Sequence, residues 1–225
     1  MNSHATADLD LEPRRPHRAA RPTKRASFRT LLLGFAFLAP AMLHAAEGCC
    51  DAAEKAAATA PKFTDRSIYQ LDSPWTTDDG QPFKLAELRG RPVVLAMFFT
   101  SCGYACPRIV DAMTAIERSL PPAARERAVF VLASFDDERD TVAALHAYRE
   151  QHELAAKRWV LLRGAPGDIR ELAAVLGVKY KKDAAGMFSH SNLITILNRE
   201  GEVVHQRVGL EGGLAEAARA VVVSR

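Results

Sequence analysis

The sequence predicts an α/β sandwich, a three-layer fold in which helices cover a central sheet of mixed strand directions. Fully apolar runs of strand length alternate with segments whose apolar residues recur at helical spacing, the order typical of strands joined by crossover helices. The last two strands are joined by a tight turn at 198–201, which reverses the chain and makes the strand directions mixed. Cys102 and Cys106 follow the first fully apolar strand, where a helix begins.

The predicted elements follow the chain in order. The first half comprises a short strand at 67–71, a turn at 77–83 leading to a second short strand, a helical turn at 85–90, a buried strand at 92–99 and a helix at 108–120 stopped by Pro121 and Pro122. The second half comprises a strand at 128–134, a helix at 141–152 capped by Asp140, a strand at 159–162, a helix capped by Asp168 and ended by Gly177, strands at 191–197 and 202–208, and a helix at 211–222. This order, with a dithiol at the first buried strand, is the thioredoxin-like plan.

Residues 1–46 have the pattern of an export segment. Seven of the 30 Lys and Arg residues lie in the first 30 positions, and an apolar run at 31–43 and small residues at Ala45 and Ala46 follow. The run is shorter than the roughly 20 residues of a spanning helix, so a signal peptide cleaved near Ala46 is the first interpretation and an uncleaved membrane anchor the second. A mitochondrial presequence and a lipoprotein signal at Cys49 are weaker alternatives.

Export places the domain on the oxidising side of a membrane, in the bacterial periplasm, with contact to the inner membrane only through the N-terminal segment. Residues 47–66 are rich in alanine and predict a tether, so the domain spans 67–225. The tether contains an adjacent pair, Cys49 and Cys50, whose role the sequence leaves open. Beyond the export segment the charges nearly balance, and no clustered basic face indicates a nucleic-acid partner.

The pair Cys102 and Cys106 carries the candidate chemistry. Three residues separate the two thiols, which places them one helical turn apart, at i and i+4. A helix N-terminus stabilises thiolate, and thiolate is both the redox nucleophile and the ligand form of cysteine. The spacing therefore permits an exchangeable disulfide and also a two-thiolate site for a soft metal such as Cu(I), to which an imidazole would add affinity for Cu(II).

A third ligand would have to be a histidine. His190 lies in a segment at 186–192 that enters the strand at 191–197, at the end of the sheet that should carry the cysteines. Spacing alone leaves its ligand role open. The other histidines are predicted to lie in the export segment or on the surface: His4, His17, His44, His146, His152 and His205.

Three segments together resemble motifs of the SCO1/SenC family of copper-binding thioredoxin-fold proteins. The segment 100–107 is similar to its cysteine motif, 134–141 to its acidic motif and 189–191 to its histidine motif, and the likeness extends over about 67–222. The resemblance implies that Cys102, Cys106 and His190 bind copper, as Cu(I) or Cu(II), with Asp136 beside the site orienting the histidine or assisting docking. Gly103 and Asp137 depart from the family pattern, which usually has proline at both positions.

The resemblance implies a copper chaperone that assists metallation of the CuA site of a respiratory oxidase, or of a related cuproprotein, with the CuA-bearing subunit as partner. The alternative is a thiol-disulfide oxidoreductase that reduces client cysteines through Cys102 and Cys106 and is reset by a periplasmic thiol reductant. A purely structural disulfide is disfavoured, because it would constrain only three intervening residues.

Overall fold

The computed structural model describes residues 62–184 and 186–224. The predicted export segment, nearly all of the tether, and Cys49 and Cys50 lie outside the described residues. In the described part no helix is both long and apolar enough to cross a membrane.

The described chain contains nine strands and five α-helices. The strands are β1 (Trp75–Thr77), β2 (Pro82–Phe83), β3 (Val93–Phe98), β4 (Val129–Ser134), β5 (Trp159–Gly164), β6 (Tyr180–Lys182), β7 (Phe188–His190), β8 (Leu193–Leu197) and β9 (Val203–Val208). The helices are α1 (Ala105–Ser119), α2 (Pro122–Arg127), α3 (Val142–Gln151), α4 (Pro166–Leu176) and α5 (Leu214–Val223), with short 3-10 helices at Ile68–Gln70 and Leu85–Leu88.

Seven strands form one mixed sheet in the order β2-β1-β5-β4-β3-β8-β9. Strands β3, β4 and β5 are parallel neighbours, whereas β8 runs antiparallel to β3, and β1 antiparallel to β5. Every residue of β3 and of β4 is buried, so the centre of the sheet is covered on both faces. The predicted fold class, a mixed α/β sandwich of thioredoxin-like type, is confirmed.

The parallel strands determine where the site lies. The chain passes from β3 through α1 to β4 and from β4 through α3 to β5, so the carboxyl ends of these strands meet at one edge of the sheet. The cysteine segment follows β3 and the acidic segment follows β4 at this edge. Strand β8 runs the opposite way beside β3, so the chain that enters it arrives at the same edge.

The first predicted strand, at 67–71, is wrong. Residues Ile68–Gln70 form a 3-10 helix, whose first turn is capped by the Ser67 hydroxyl accepting a hydrogen bond from the Tyr69 amide. The strand at this end of the domain is β1, which pairs with β2 and β5. The segment is too short for its apolar residues to distinguish a strand from a helical turn. The Ser67 cap favours the helical turn.

Both predicted aspartate caps are also wrong. Thr141 caps α3, where its hydroxyl accepts from the Ala144 amide at 3.2 Å, and this frees Asp140 for other partners. Helix α4 already begins at Pro166, so Asp168 lies within its first turn. Proline at the first helical position has no amide that needs a partner, which explains the earlier start.

A further hairpin, β6–β7, was not predicted. It pairs Tyr180 with His190 and Lys182 with Phe188, and it forms a small sheet of its own. His190, which the sequence places in a loop, is therefore the last residue of a strand. Three-residue strands that carry lysine and serine have no apolar run by which they could be recognised.

Candidate metal centre

The two cysteines lie on either side of the start of α1. Cys102 stands in the connection after β3, is partly exposed, and its amide donates to the Phe99 carbonyl at 3.3 Å. Cys106 lies in the first turn of α1 and is fully buried. The Cys106 amide donates to the Cys102 sulfur at 3.4 Å, and both thiols are free rather than joined in a disulfide.

The surroundings separate the two thiols chemically. Partial burial acts to raise the pKa of the Cys102 thiol, but hydrogen bonds from the amides of Cys106, Tyr104 and Ala105 outweigh it, so the pKa is lowered overall. Burial raises the pKa of the Cys106 thiol strongly, and the neighbouring Cys102 adds to the rise. Cys102 is therefore the thiol that ionises first and that solvent reaches.

His190 faces the dithiol from the end of β7. Its Nε2 lies 3.7 Å from the Cys106 sulfur, and its Nδ1 lies 3.0 Å from the carbonyl oxygen of Ser191. A carbonyl oxygen can only accept, so this contact favours the tautomer with the proton on Nδ1. That tautomer directs the Nε2 lone pair, the form of imidazole that binds metals, towards the sulfurs.

Cys102, Cys106 and His190 together form a cluster of three candidate metal ligands. The two sulfurs and the imidazole nitrogen all lie within 4.8 Å of one another, and this is the one such group of Cys, His, Asp and Glu within the residues that the structure describes. His146, His152 and His205 lie elsewhere and do not join it. Two sulfurs and an imidazole nitrogen suit copper in either oxidation state as well as zinc.

Aromatic rings surround the imidazole. The ring of Phe135 lies 5.0 Å from that of His190 and the ring of Phe99 lies 6.0 Å away, edge to face. Both phenylalanines are buried. The imidazole therefore has an apolar wall on the side of the sheet, which limits its rotation.

Asp136 lies on the segment after β4 and is fully buried. Its carboxylate accepts hydrogen bonds from the side chain of Arg139 and from the Arg139 amide, the latter at 3.2 Å. The imidazole of His190 contacts Ser191 rather than this carboxylate. Arg139 links Asp136 to the segment that carries the histidine, because its Nη2 donates to the carbonyl of Gly186.

Asp140, which the sequence predicts to be a helix cap, instead supports the segment that carries Cys102. Its carboxylate accepts from the Thr100 hydroxyl at 2.6 Å, the Thr100 amide at 3.0 Å and the Ser134 hydroxyl at 2.5 Å. Burial raises the pKa of this carboxyl against the lowering effect of those hydrogen bonds. Asp140 therefore fixes the segment that precedes Cys102. The one sequence signal for this role is the position of Asp140 in the acidic motif, next to Arg139.

The comparisons with known proteins agree with this geometry. A family model described as SCO1/SenC matches residues 65–221, which is most of the chain. The chain belongs to the SCO1/SenC family. The match includes all three cluster residues, and the likeness read from the three sequence motifs is confirmed.

The sequence identity between this chain and individual relatives is low. A protein of Stutzerimonas stutzeri described as copper-binding is 27% identical over 143 residues, 62% of this chain and 68% of that protein. The crystal structure of Arabidopsis thaliana ScoI with copper bound is 25% identical, covers 67% of this chain and 93% of that chain, and has a TM-score of 0.59. Bradyrhizobium japonicum ScoI, also with copper bound, is 23% identical with a TM-score of 0.58, covers 68% of this chain and 97% of that chain, and supports the fold.

Proposed function

We propose that this protein is an exported copper chaperone that binds copper through Cys102, Cys106 and His190. The observation that carries the proposal is the cluster itself, in which two thiols and an imidazole nitrogen lie within 4.8 Å of one another. Thiolates are the preferred ligands of Cu(I), and the added imidazole extends the site to Cu(II). Relatives whose structures contain bound copper support the choice of metal.

The exposure of the ligands suits transfer. Cys106 is buried, whereas Cys102 and His190 are partly exposed, so an incoming ligand can displace them in turn. The proposed client is the subunit that bears the CuA site of a respiratory oxidase, or a related cuproprotein. A structural relative, BsSco, is described as a member of the Sco family of cytochrome c oxidase assembly proteins, which supports this client.

Export to the bacterial periplasm belongs to the same proposal. It rests on the basic and apolar pattern of residues 1–46, which would also supply any attachment to the inner membrane. A Bacillus anthracis relative is described as a SCO1/SenC family lipoprotein, and a lipoprotein is an exported protein.

Copper titration of the reduced protein tests the proposal. The chain contains four cysteines, so a Cys49→Ser/Cys50→Ser background leaves only the proposed ligand thiols. We expect one copper per chain, with binding lost in Cys102→Ala or Cys106→Ala and weakened at least about tenfold in His190→Ala. His205→Ala is the matched control and should bind like its parent. Tight binding that survives the loss of either cysteine would reject the site.

A second candidate function is thiol-disulfide exchange, favoured by the asymmetry of the two thiols. The Cys102 thiolate would attack a client disulfide and release one client thiolate, and the Cys106 thiolate would then displace the other. The client would gain two electrons and end as a dithiol, and the protein would end with a Cys102–Cys106 disulfide. A periplasmic thiol reductant would return the pair to the free thiols.

The two candidate functions differ in whether they require His190. Exchange requires the cysteines alone, so His190→Ala should leave the rate of disulfide reduction in a model client within about twofold while it weakens copper binding. A pair whose reduction potential lies too low for any periplasmic thiol donor to regenerate it would exclude the oxidoreductase function.

A further inference from the structure

The hairpin that carries His190 does not belong to the main sheet. In the described part of the chain, β6 and β7 pair with each other and with no other strand. A lone two-stranded hairpin is marginally stable in water. The position of His190 over the cysteines therefore depends on the contacts that the hairpin makes with the rest of the domain.

Aromatic side chains make the first set of contacts between the hairpin and the rest of the domain. Phe188 of the hairpin packs against Phe99 and Phe135 with ring centroids 5.3 and 5.1 Å apart, and Tyr180 stacks on Phe135 at 5.3 Å. The hydrophobic effect is not directional. These rings hold the hairpin near the sheet, but they leave its exact placement to other contacts.

Arg139 provides the directional contact. Its Nε donates to the buried carboxylate of Asp136, and its Nη2 donates to the carbonyl oxygen of Gly186, in the hairpin turn, at 2.6 Å. The guanidinium also lies over the rings of Phe188 and Phe99, 5.8 and 6.0 Å from their centroids. Because a guanidinium is planar and its donors are fixed, it sets both the distance and the direction between its two partners.

The acidic segment 136–140 thereby contacts both segments that carry the proposed ligands. Through Asp140 it binds Thr100, two positions before Cys102, and through Arg139 it binds the turn of the His190 hairpin. A second, exposed contact joins Glu138 to Lys182 at 2.5 Å. The bond from Arg139 to Gly186 is solvent-exposed as well, but Arg139 is anchored on the fully buried carboxylate of Asp136, whereas Lys182 pairs with an exposed glutamate. Exposed ion pairs contribute little, so the anchored guanidinium is the contact that fixes the hairpin turn.

We propose that Arg139 is a positioning residue of the copper site, which holds the β6–β7 hairpin so that His190 stays beside the dithiol. The inference rests on the proposed copper function and extends it to a residue that touches none of the three ligands through a hydrogen bond. Two thiolates alone suit Cu(I), whereas Cu(II) depends more on the imidazole. Loss of Arg139 should therefore weaken Cu(II) binding more than Cu(I) binding.

The test compares Arg139→Met, Arg139→Lys and Arg89→Met in the Cys49→Ser/Cys50→Ser background. Arg139→Met should lower Cu(II) affinity about tenfold or more, the range for loss of a residue that orients a metal ligand. Arg139→Lys retains a charge beside Asp136, which protects folding, but one ammonium cannot reproduce the fork, so its effect should be intermediate. Arg89 is the matched control, with affinity near that of the parent: it is as exposed as Arg139, pairs with Glu200 and lies over the Phe63 ring, at the end of β3 opposite to the cysteines.

Combination with His190→Ala shows whether Arg139 acts through the histidine. If it does, Arg139→Met should cause no further loss of Cu(II) affinity once the imidazole is gone. An equal loss in both backgrounds would overturn the inference, because it would show that Arg139 acts on the domain as a whole.

Amide hydrogen exchange of the metal-free protein gives a readout that needs no copper. Arg139→Met should speed amide exchange in the β6–β7 hairpin and leave exchange in β3 and β4 unchanged, whereas Arg89→Met should leave exchange in all of these strands unchanged. Unaltered exchange in the hairpin would overturn the inference. If the hairpin responds while the parent protein binds no copper, the proposed function fails and the positioning of the hairpin by Arg139 remains.

Discussion

At the scale of single residues, the site depends on the placement of two chemically identical thiols. Cys102 is partly exposed and accepts a hydrogen bond from the Cys106 amide, whereas Cys106 is fully buried. Amide donors at a helix start stabilise a thiolate, whereas deep burial destabilises it. One thiol is therefore reactive, and the other is protected until its neighbour has reacted or has bound metal.

Alkylation measures this difference directly. In the reduced protein with Cys49→Ser and Cys50→Ser, iodoacetamide at neutral pH should modify Cys102 on the order of tenfold faster than Cys106, because its pKa is lowered and its sulfur is accessible. Peptide mass spectrometry over time gives both rates, and denatured protein serves as the control in which the rates converge. Equal rates in the folded protein would contradict the assignment of roles.

Asp140 shows what residue-level sequence reasoning cannot decide. An aspartate before a helix predicts an N-cap, and so does the threonine that follows it. The structure gives the cap to Thr141 and uses Asp140 to bind Thr100 and Ser134. Thr100 lies 40 positions earlier in the chain, so only the parallel pairing of β3 with β4 brings it to the aspartate.

At the scale of elements, the buried strands were predictable and the hairpin was not. Strands β3, β4 and β8, within the predicted runs at 92–99, 128–134 and 191–197, consist almost entirely of apolar residues, because they are buried along their whole length. Strands β6 and β7 are short and half exposed, and they are held by side chains from other elements. These two strands form because of tertiary contacts, so local hydrophobicity could not predict them.

The turn between β8 and β9 packs closely against the 3-10 helix at Ile68–Gln70, and this contact can be tested by mutation. Gly201 has φ of +81°, and a Cβ there would come within 2.6 Å of the buried Tyr69 ring. Gly201→Ala should therefore lower the free energy of unfolding by about 1–3 kcal/mol, through backbone strain together with overpacking.

Gly90→Ala is the control for Gly201→Ala, measured by the same denaturant titration. Gly90 has φ of +86° but no atom within 4 Å of the added Cβ, so it reports the backbone cost alone and should lose less stability. Equal losses of stability in the two variants would show that the contact with Tyr69 does not contribute to the destabilisation.

At the scale of the whole molecule, the fold brings together residues that lie far apart in the chain. The spacing of Cys102 and Cys106 could be interpreted directly, since i and i+4 are neighbours on a helix. His190 lies 84 positions beyond Cys106, and its proposed ligand role was suggested by the likeness of three motifs rather than by spacing. The mixed sheet supplies the physical reason, because β3 and the antiparallel β8 deliver both segments to the same edge.

The central claim is that one copper ion is bound by these three side chains together. X-ray absorption at the copper edge, recorded on the copper-loaded reduced protein with Cys49→Ser and Cys50→Ser, tests it most directly. We predict two sulfur ligands and an imidazole nitrogen, with the imidazole signal lost in His190→Ala and retained in His205→Ala. An imidazole signal that persists in His190→Ala, or a copper ion with fewer than two sulfur ligands, would contradict the account.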